Sequence, residues 1–229
     1  MLLRLVLSFV TFLFVDVVFA GVSDAPRKSE FEKALKVIVT TVAPHWPAAE
    51  ADRIIKAYED AQANKAFAIE PIYGKSFRSQ RHERLEEASE GVLEACQLRY
   101  GKPCALIAIN EEVVLDGPLV PKDMPRLRYR GKFDLAQMPI IRSAVRTRPD
   151  LRGYDVMPEP KVIVIHPWGL VYVSHGDTTL KEVEEKTLAK CNEDPDRNGK
   201  DGGCFIYAIN NDVVLANRMM MASGGLSKR

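Results

Sequence analysis

The chain has 229 residues, of which 46% are hydrophobic and 28% charged, values close to those of soluble globular proteins. This composition excludes a collagenous, low-complexity or largely disordered chain. With 32 basic and 31 acidic residues the net charge is +1, so charge gives no indication of nucleic acid or an anionic membrane as a partner.

The N-terminus has the pattern of a secretory signal peptide. Residues 1–20 carry a positive charge at Arg4, then a run rich in Leu, Val and Phe that ends with Ala20. This pattern predicts cleavage before Gly21. The alternative is an uncleaved membrane anchor, which Asp16 disfavours because a carboxylate in hydrocarbon costs a few kcal/mol. No later apolar stretch approaches a membrane-spanning length. We therefore expect an exported protein, periplasmic or secreted, without a membrane span after cleavage.

A helical N-terminal segment, 21–52, follows the signal peptide. The spacing of apolar residues predicts one helix over 31–42 and a second over 48–63, separated by Pro44 and Pro47. The second helix continues into the first of two repeated units.

The chain contains the same unit twice. Residues 65–71 return as 161–167, and a tyrosine stands seven residues before each block, at Tyr58 and Tyr154. Three further pairs of blocks follow in the same order: 85–96 with 180–191, 104–110 with 204–210, and 113–115 with 213–215. Four matched blocks in one order indicate a duplication.

Each unit is predicted to fold as strand, strand, helix, strand, strand. In the second copy, β-branched runs flank a four-residue turn at 166–169. The apolar residues that follow lie on one helical face, and Thr179 with Glu182 predicts a capping box at the start of that helix. Asn110 and Asn210 tolerate the left-handed conformation of a tight hairpin, which predicts a second hairpin in each unit.

The connector between the units, 116–148, is rich in proline and basic residues, with a short helix predicted over 138–147. Four alternating basic residues are expected to share one side of an extended strand: Arg126, Arg128, Arg130 and Lys132. Four more extend this basic region: Arg142, Arg146, Arg148 and Arg152. The pattern indicates a solvated face, with an acidic partner surface as the alternative.

The cysteines are the strongest chemical signal. Four cysteines in an exported chain, two per unit at equivalent positions, indicate disulfides. The duplication selects Cys96–Cys104 and Cys191–Cys204 among the three possible pairings, because each unit must have been closed before it was copied. Loops this short contribute about 2.5–3 kcal/mol apiece. A zinc site and a redox dithiol are the competing interpretations, but both favour a Cys-x-x-Cys spacing that is absent.

The predicted fold class is therefore α+β. It consists of two tandem ββαββ repeats, each closed by one disulfide, behind the helical N-terminal segment. The predicted ranges are 53–115 for repeat 1, 149–215 for repeat 2 and 216–229 for a flexible tail.

The cysteine blocks resemble a repeat domain of unknown function in exported bacterial proteins. The likeness is carried by 188–191, by 204–210 with its Tyr-Ala-x-Asn core, and by Val213-Val214. The first copy departs from the pattern, with Ile107 where Tyr207 stands in the second. The resemblance implies bacterial export and a small uncharacterised domain, with no catalytic residues to carry over.

One loop has half of a calcium-binding pattern. Asp194, Asp196 and Asn198 stand at the first, third and fifth positions of a calcium loop, with a glycine at the sixth. The twelfth position should be a bidentate glutamate but is Phe205. The alternative is a solvated polar loop beside the second disulfide.

Two histidines flank the first hairpin of repeat 2. Residues 174–177 contain Ser174, His175 and Asp177, the residue types of a hydrolase triad, but neighbouring side chains do not make a triad unless the fold brings them together. His166 and His175 could also bind a metal across the hairpin, but the equivalents in the first copy are Glu70 and a basic segment. Five aromatic residues are expected in the core or on a sheet face rather than as ligand-stacking groups: Trp46, Trp168, Tyr73, Tyr172 and Tyr207.

The sequence favours an exported, non-enzymatic binding or interaction module. Its partner, an unknown protein or small ligand, is not indicated by any motif, and duplication of a small closed domain enlarges a surface more readily than it builds an active site. The alternatives are a cell-envelope enzyme, either a hydrolase or a thiol oxidoreductase, and a calcium-stabilised structural module.

Overall fold

A computed structural model describes residues 25–115, 119–176, 178–197, 200, 202–217 and 219. The predicted signal peptide, 1–20, lies outside these residues. The N-terminal helices are α1 (Ala25–Val42) and α2 (Ala48–Glu59), so α2 ends before the predicted residue 63. Repeat 1 follows with β1 (Ala66–Glu70), β2 (Lys75–Ser79), α3 (Leu85–Tyr100), β3 (Ala105–Ile109) and β4 (Glu112–Val113).

Three short helices lie between the repeats: α4 (Pro125–Arg128), α5 (Ser143–Arg146) and α6 (Pro149–Arg152). Repeat 2 consists of β5 (Lys161–Ile165), β6 (Val171–His175), α7 (Leu180–Asn192), β7 (Phe205–Ile209) and β8 (Asp212–Val213). Single 3-10 turns occur at Leu135–Gln137, Tyr154–Val156 and Pro195–Arg197. The α+β class and the ββαββ order are confirmed in both halves.

The two sheets have the same topology. Their strand orders are β2-β1-β3-β4 and β6-β5-β7-β8, and every pair is antiparallel. Each central strand carries a register shift at the same place, between Phe67 and Ala68 in one sheet and between Ile163 and Val164 in the other. Asn110 and Asn210 adopt φ of 47° and 50° at the second hairpins, as predicted.

Helix α3 lies inside the molecule. Alternate residues of β1 face opposite ways: Ala68 packs toward α3, whereas Phe67 packs toward α1 and α2. The cluster around α3 continues into one face of the second sheet, through Ile163, while Val162 on the other face packs with α7. The layers are therefore the N-terminal helices, the first sheet, α3 with the connector, the second sheet, and α7.

The repeated tyrosine, lysine and asparagine share one structural role. In repeat 2 the Lys161 ammonium lies 5.1 Å from the Tyr154 ring centroid. The Asn210 side chain accepts from the Lys161 N–H at 3.2 Å, and the Asn210 N–H donates to the Lys161 carbonyl at 2.8 Å. The same bonds join Lys65 and Asn110 in repeat 1. These residues anchor the start of each central strand to the second hairpin.

The connector corrects two predictions. Residues 125–128 form a helical turn rather than an extended strand, so the alternating basic residues do not share one side. Arg126 contacts Glu90 and Glu94 of α3, at 3.1 and 2.6 Å, so it pairs within the chain instead of lying on a solvated face. Outside α3, Arg128 pairs with Asp123 and Lys132 with Asp212. Of the helix predicted over 138–147, only Ser143–Arg146 is helical.

The predicted disulfides, Cys96–Cys104 and Cys191–Cys204, are both present. Each joins its helix to the start of the following strand and is consistent with an oxidising, exported environment. The predicted capping box between Thr179 and Glu182 also forms. Of the predicted tail, Ala216 is buried, and 220–229 lie outside the described residues. In the part of the chain that is described, no helix has the length and apolar composition to cross a bilayer.

Candidate functional site

A cleft of about 280 Å³ opens where the two repeats meet. Repeat 1 supplies β2 with the loop after it, repeat 2 supplies the turn between β5 and β6, and the connector supplies the floor. We call it the basic cleft, after the four cationic side chains that line it: Arg78, Arg81, Arg142 and Lys200. Clefts between structural units are a frequent location for ligand sites.

Among the residues that the structure describes, the basic cleft has cationic side chains without facing carboxylates. No carboxylate is among the described residues that line it. Arg142 donates to the Gln80 carbonyl at 2.9 Å, and Lys200 donates to the Asp196 carbonyl at 2.9 Å, both neutral acceptors. Within the described residues, neither Arg78 nor Arg81 forms an ion pair. Burial lowers the pKa of Arg142, and the charge of Arg81 lowers it further.

Two residues of the basic cleft have left-handed backbone conformations. Arg81 has φ 62° and Ile140 has φ 60°. Around Ile140 the Ile141 N–H donates to the Pro139 carbonyl at 2.8 Å, which makes a three-residue γ-turn with a positive central φ. For a β-branched residue this conformation is a true outlier, and such strain tends to occur at functional sites. The Ile140 carbonyl also approaches Gly169 closely: this glycine has a φ of 79°, and an added Cβ would lie 3.2 Å from the carbonyl oxygen, a tight contact.

A buried carboxylate holds the γ-turn in place. Glu94 of α3 is fully buried, and its Oε2 accepts from the Ile140 N–H at 2.7 Å. Its Oε1 accepts from Arg126 Nε at 2.6 Å. Burial raises the pKa of Glu94, an effect that the charge of Arg126 opposes. The side chain therefore positions the floor of the basic cleft from inside the molecule.

His82 separates the basic cleft from a smaller polar cavity of about 210 Å³. Its side chain is 9% exposed, and its Nδ1 has no hydrogen-bond partner among the described residues. Burial lowers the pKa of His82, as does the charge of Arg142, whereas Glu87 opposes them. In the smaller cavity the Ser143 hydroxyl donates to Glu87 Oε1. The His82 ring therefore lines both spaces, with its Nδ1 buried.

A second cleft of about 510 Å³ adjoins the basic cleft, and we call it the aromatic cleft. It shares Phe77, Arg78 and Trp168 with the basic cleft. The Phe77 and Trp168 rings pack with centroids 4.8 Å apart and form a ridge between the two spaces. Beyond the ridge, Trp46 and Tyr100 line the aromatic cleft.

The structure places the predicted aromatic residues in three different settings. Tyr207 is buried, as predicted. Tyr172 is half-buried on β6, and its hydroxyl donates to Asp194 at 2.5 Å. Tyr73 is 61% exposed, so its predicted core position is wrong. Trp46 and Trp168 are half-buried against the core clusters, as expected of core residues, and they also line the aromatic cleft.

The structure does not bring the two flanking histidines together. His166 follows the last residue of β5, whereas His175 pairs with Lys161 at the opposite end of the same hairpin. Asp177 lies outside the described residues. His166 is fully buried: its Nδ1 accepts from the Trp168 N–H at 3.3 Å, and Nε2 lies 3.3 Å from the Gly202 carbonyl. Its position in repeat 1 is taken by Glu70, which accepts two turn N–H groups in the same way.

We predict that acid will destabilise the protein through His166. Burial, together with the charge of Arg197, lowers its pKa from 6.5 to about 4. Between these values the unfolded chain binds the extra proton, so stability falls as the pH falls from 6.5 toward 4, by up to about 3 kcal/mol. Urea unfolding at pH 7 and pH 4.5 measures the loss, which His166→Gln should reduce. His175→Gln, at an exposed position of the hairpin, should keep the wild-type loss. An unchanged loss in His166→Gln would contradict the prediction.

The calcium loop is only partly described. Asp194 uses both oxygens within the chain: Oδ2 accepts from the Tyr172 hydroxyl, and Oδ1 accepts from the Asp196 N–H at 2.7 Å. Asp196 is exposed, and Asn198 lies outside the described residues. Among the residues that are described, no three acidic, histidine or cysteine side chains converge as a metal site would require. Calcium binding here stays a prediction.

The sequence drew attention to some residues of the two clefts, but it did not predict that they lie close together. Arg142 was recognised as basic and Trp168 as part of a turn, but their convergence depends on contacts between distant segments. The left-handed conformations at Arg81 and Ile140 have no sequence signal, because neither residue type favours them. All four cysteines are paired, so none is free for thiol chemistry.

In comparisons with protein-family models, curated proteins and solved structures, the chain matches none of them.

Proposed function

We propose that the protein is an exported, non-enzymatic binding module whose basic cleft takes a small anionic ligand with carboxylate or phosphate groups. The observation that carries this proposal is the convergence of Arg78, Arg81, Arg142 and Lys200, with no carboxylate among the described residues that line the cleft. Guanidinium groups suit planar, bidentate recognition of carboxylate and phosphate. A bound anion would neutralise like charges that the folded protein holds close together.

The strain around the basic cleft supports the same proposal. Arg81 and Ile140 hold left-handed conformations at its wall and floor, and Glu94 fixes one of them from the core. Such strain persists only where the surrounding structure imposes it, and it preorganises a site before the ligand arrives. An exported location is supported by the N-terminal pattern at 1–20 and by the two disulfides.

Calorimetry with inorganic phosphate and with galacturonate, at constant ionic strength, tests the proposal. We expect at least one anion to bind, and Arg78→Gln and Arg142→Gln each to weaken it about tenfold, the effect of losing one charge-assisted hydrogen bond. Arg27→Gln, which removes an exposed charge on α1, is the matched control and should bind normally. Absence of binding by both anions, or an equal loss in Arg27→Gln, would overturn the proposal.

We further expect substitutions at Arg81 to affect the stability of the protein and its binding of anions differently. Glycine adopts the φ of 62° without steric cost, so Arg81→Gly should stabilise the protein by about 1 kcal/mol. The same change removes a cleft charge and should weaken anion binding. Arg81→Gln should weaken binding to a similar degree without stabilising, because glutamine keeps the strain. Thermal unfolding and calorimetry on both variants provide the comparison. If Arg81→Gly is no more stable than Arg81→Gln, the backbone at this position is not strained.

A further inference from the structure

We infer that the ligand is an elongated acidic saccharide that crosses the Phe77–Trp168 ridge and fills both clefts. Its anionic group would lie in the basic cleft, and a sugar ring would lie in the aromatic cleft. The inference rests on the proposed function and assigns a substrate class to it.

The two clefts form one path along β2. Lys75 and Ser76 line the aromatic cleft, Phe77 and Arg78 line both clefts, and Ser79 lines the basic cleft. Arg78 is half-buried at the junction and lines both spaces. A ligand confined to the basic cleft, at about 280 Å³, would leave the larger neighbouring space of about 510 Å³ unused.

The open edge of β2 is not well suited to bind a peptide as an additional strand. β2 is an edge strand, bonded only to β1. However, the Tyr100 hydroxyl donates to the Ser76 carbonyl at 2.7 Å, and Arg142 donates to the Gln80 carbonyl at 2.9 Å. Side chains thus occupy carbonyls along the open edge that an added strand would need. The occupant is expected to contact side chains.

The aromatic cleft combines ring faces with charged and polar groups. Trp46, Tyr100 and the ridge supply apolar surface, and Glu50 with Arg53 supplies an ion pair with two bonds, of 2.7 and 2.8 Å. Glu50 is the one carboxylate among its described lining residues, and Arg53 already pairs with it. Lys75 and Arg78 therefore leave this cleft cationic too. A ring with an apolar face and hydroxyl edges, carrying further anionic groups, matches this lining.

The two tryptophans of the chain, Trp46 and Trp168, provide separate optical reporters. Trp46→Phe leaves a fluorophore on the ridge, and Trp168→Phe leaves one inside the aromatic cleft. We would titrate both variants with galacturonate and with trigalacturonate. Galacturonate should change only the ridge emission, whereas trigalacturonate should change both and bind at least tenfold more tightly. Trp46→Phe should weaken trigalacturonate about tenfold and leave galacturonate unchanged.

The outcomes distinguish this inference from the proposed function. If galacturonate binds but trigalacturonate gains no affinity and Trp46 does not respond, the elongated ligand is overturned and the anion cleft stands. If triglutamate binds as tightly as trigalacturonate and perturbs Trp46, the saccharide class is overturned. If phosphate, galacturonate and trigalacturonate all fail to bind, the proposed function fails, and this inference fails with it. Circular dichroism on each variant confirms the fold before titration.

Discussion

Replacing Glu94 with alanine will lower the free energy of unfolding by about 3–5 kcal/mol, the cost of breaking a buried ion pair by removing one partner. The substitution leaves the Ile140 N–H without its acceptor and removes one of the two carboxylates that face Arg126. It also leaves a space beside the buried segment of α3. Urea-induced unfolding followed by circular dichroism measures the change.

Glu90 is the matched control for Glu94. It lies on the same helix and contacts the same Arg126, at 3.1 Å, but its side chain is 55% exposed. Glu90→Ala should cost less than about 1 kcal/mol, since exposed ion pairs contribute little. Similar losses in Glu94→Ala and Glu90→Ala would show that burial of Glu94 does not decide its contribution.

The Glu94→Ala substitution should also change the backbone conformation at the floor of the basic cleft and weaken anion binding there. Without the carboxylate, the Ile140 N–H loses its acceptor, and only the bond from the Ile141 N–H to the Pro139 carbonyl is left to close the left-handed γ-turn among the described contacts of these residues, so the chain there can relax toward an ordinary conformation. A Glu94→Gln variant keeps an oxygen that can accept from Ile140, so it should retain more stability and more anion binding than Glu94→Ala. The reverse order would show that the negative charge of Glu94 matters more than its hydrogen bond.

Replacing Lys161 with methionine will destabilise the protein by about 3–4 kcal/mol, more than the same change at the equivalent Lys65. The Lys161 ammonium donates to the carbonyls of Tyr154, Asp155 and Met157 at 2.8, 2.8 and 2.9 Å. Methionine fills the volume but cannot donate. The Met157 carbonyl then loses its donor, and the carbonyls of Tyr154 and Asp155 each lose one of two donors, in a region from which the side chain excludes water.

The duplication provides the comparison for Lys161. Lys65 is also buried, but it donates to one backbone carbonyl, that of Glu59, and to the carboxylate of Glu111, which is 57% exposed. Water can replace the lost partner of an exposed carboxylate, so Lys65→Met should cost about 1–2 kcal/mol.

Urea unfolding of both lysine variants, with Lys181→Met on the exposed surface of α7 as the control, tests this difference. Lys181→Met should change stability by less than about 0.5 kcal/mol. Equal losses at Lys161 and Lys65 would mean that the number of backbone acceptors does not set the contribution of the buried lysine.

Several features of the fold were predictable because their signals are local or repeated. Period-two and helical patterns located the elements of both repeats, and the duplication selected the cysteine pairs. The capping box at Thr179 and the left-handed asparagines followed from short-range backbone chemistry. The offset between repeats also marked Tyr58, Lys65 and Asn110 as equivalent to later residues, although the structure was needed to reveal their shared contacts.

The burial of α3 was not predictable from its own sequence. The pattern shared by α3 and α7 predicts one apolar face for each, and α7 follows it, with Val183, Thr187 and Cys191 buried. In α3 the run 92–98 is buried throughout, including Glu94 and Gln97, because the connector and the second repeat cover its outer side. The spacing of apolar residues along a helix shows which face the helix buries against its own sheet. It does not show whether a second layer of the protein covers the opposite face.

The repeats, their strand order along the chain and their disulfides were therefore predictable from the residues alone, since each depends on residues close together or on a comparison of the two copies. Tertiary packing brings Arg78, Arg142 and Lys200, from three separate segments, to one cleft. It also decided the left-handed turn at Ile140, which requires a carboxylate from α3. Such convergence depends on how the repeats pack against each other and against the connector. These contacts join residues that are far apart in the sequence, so no periodic pattern of residues indicates them.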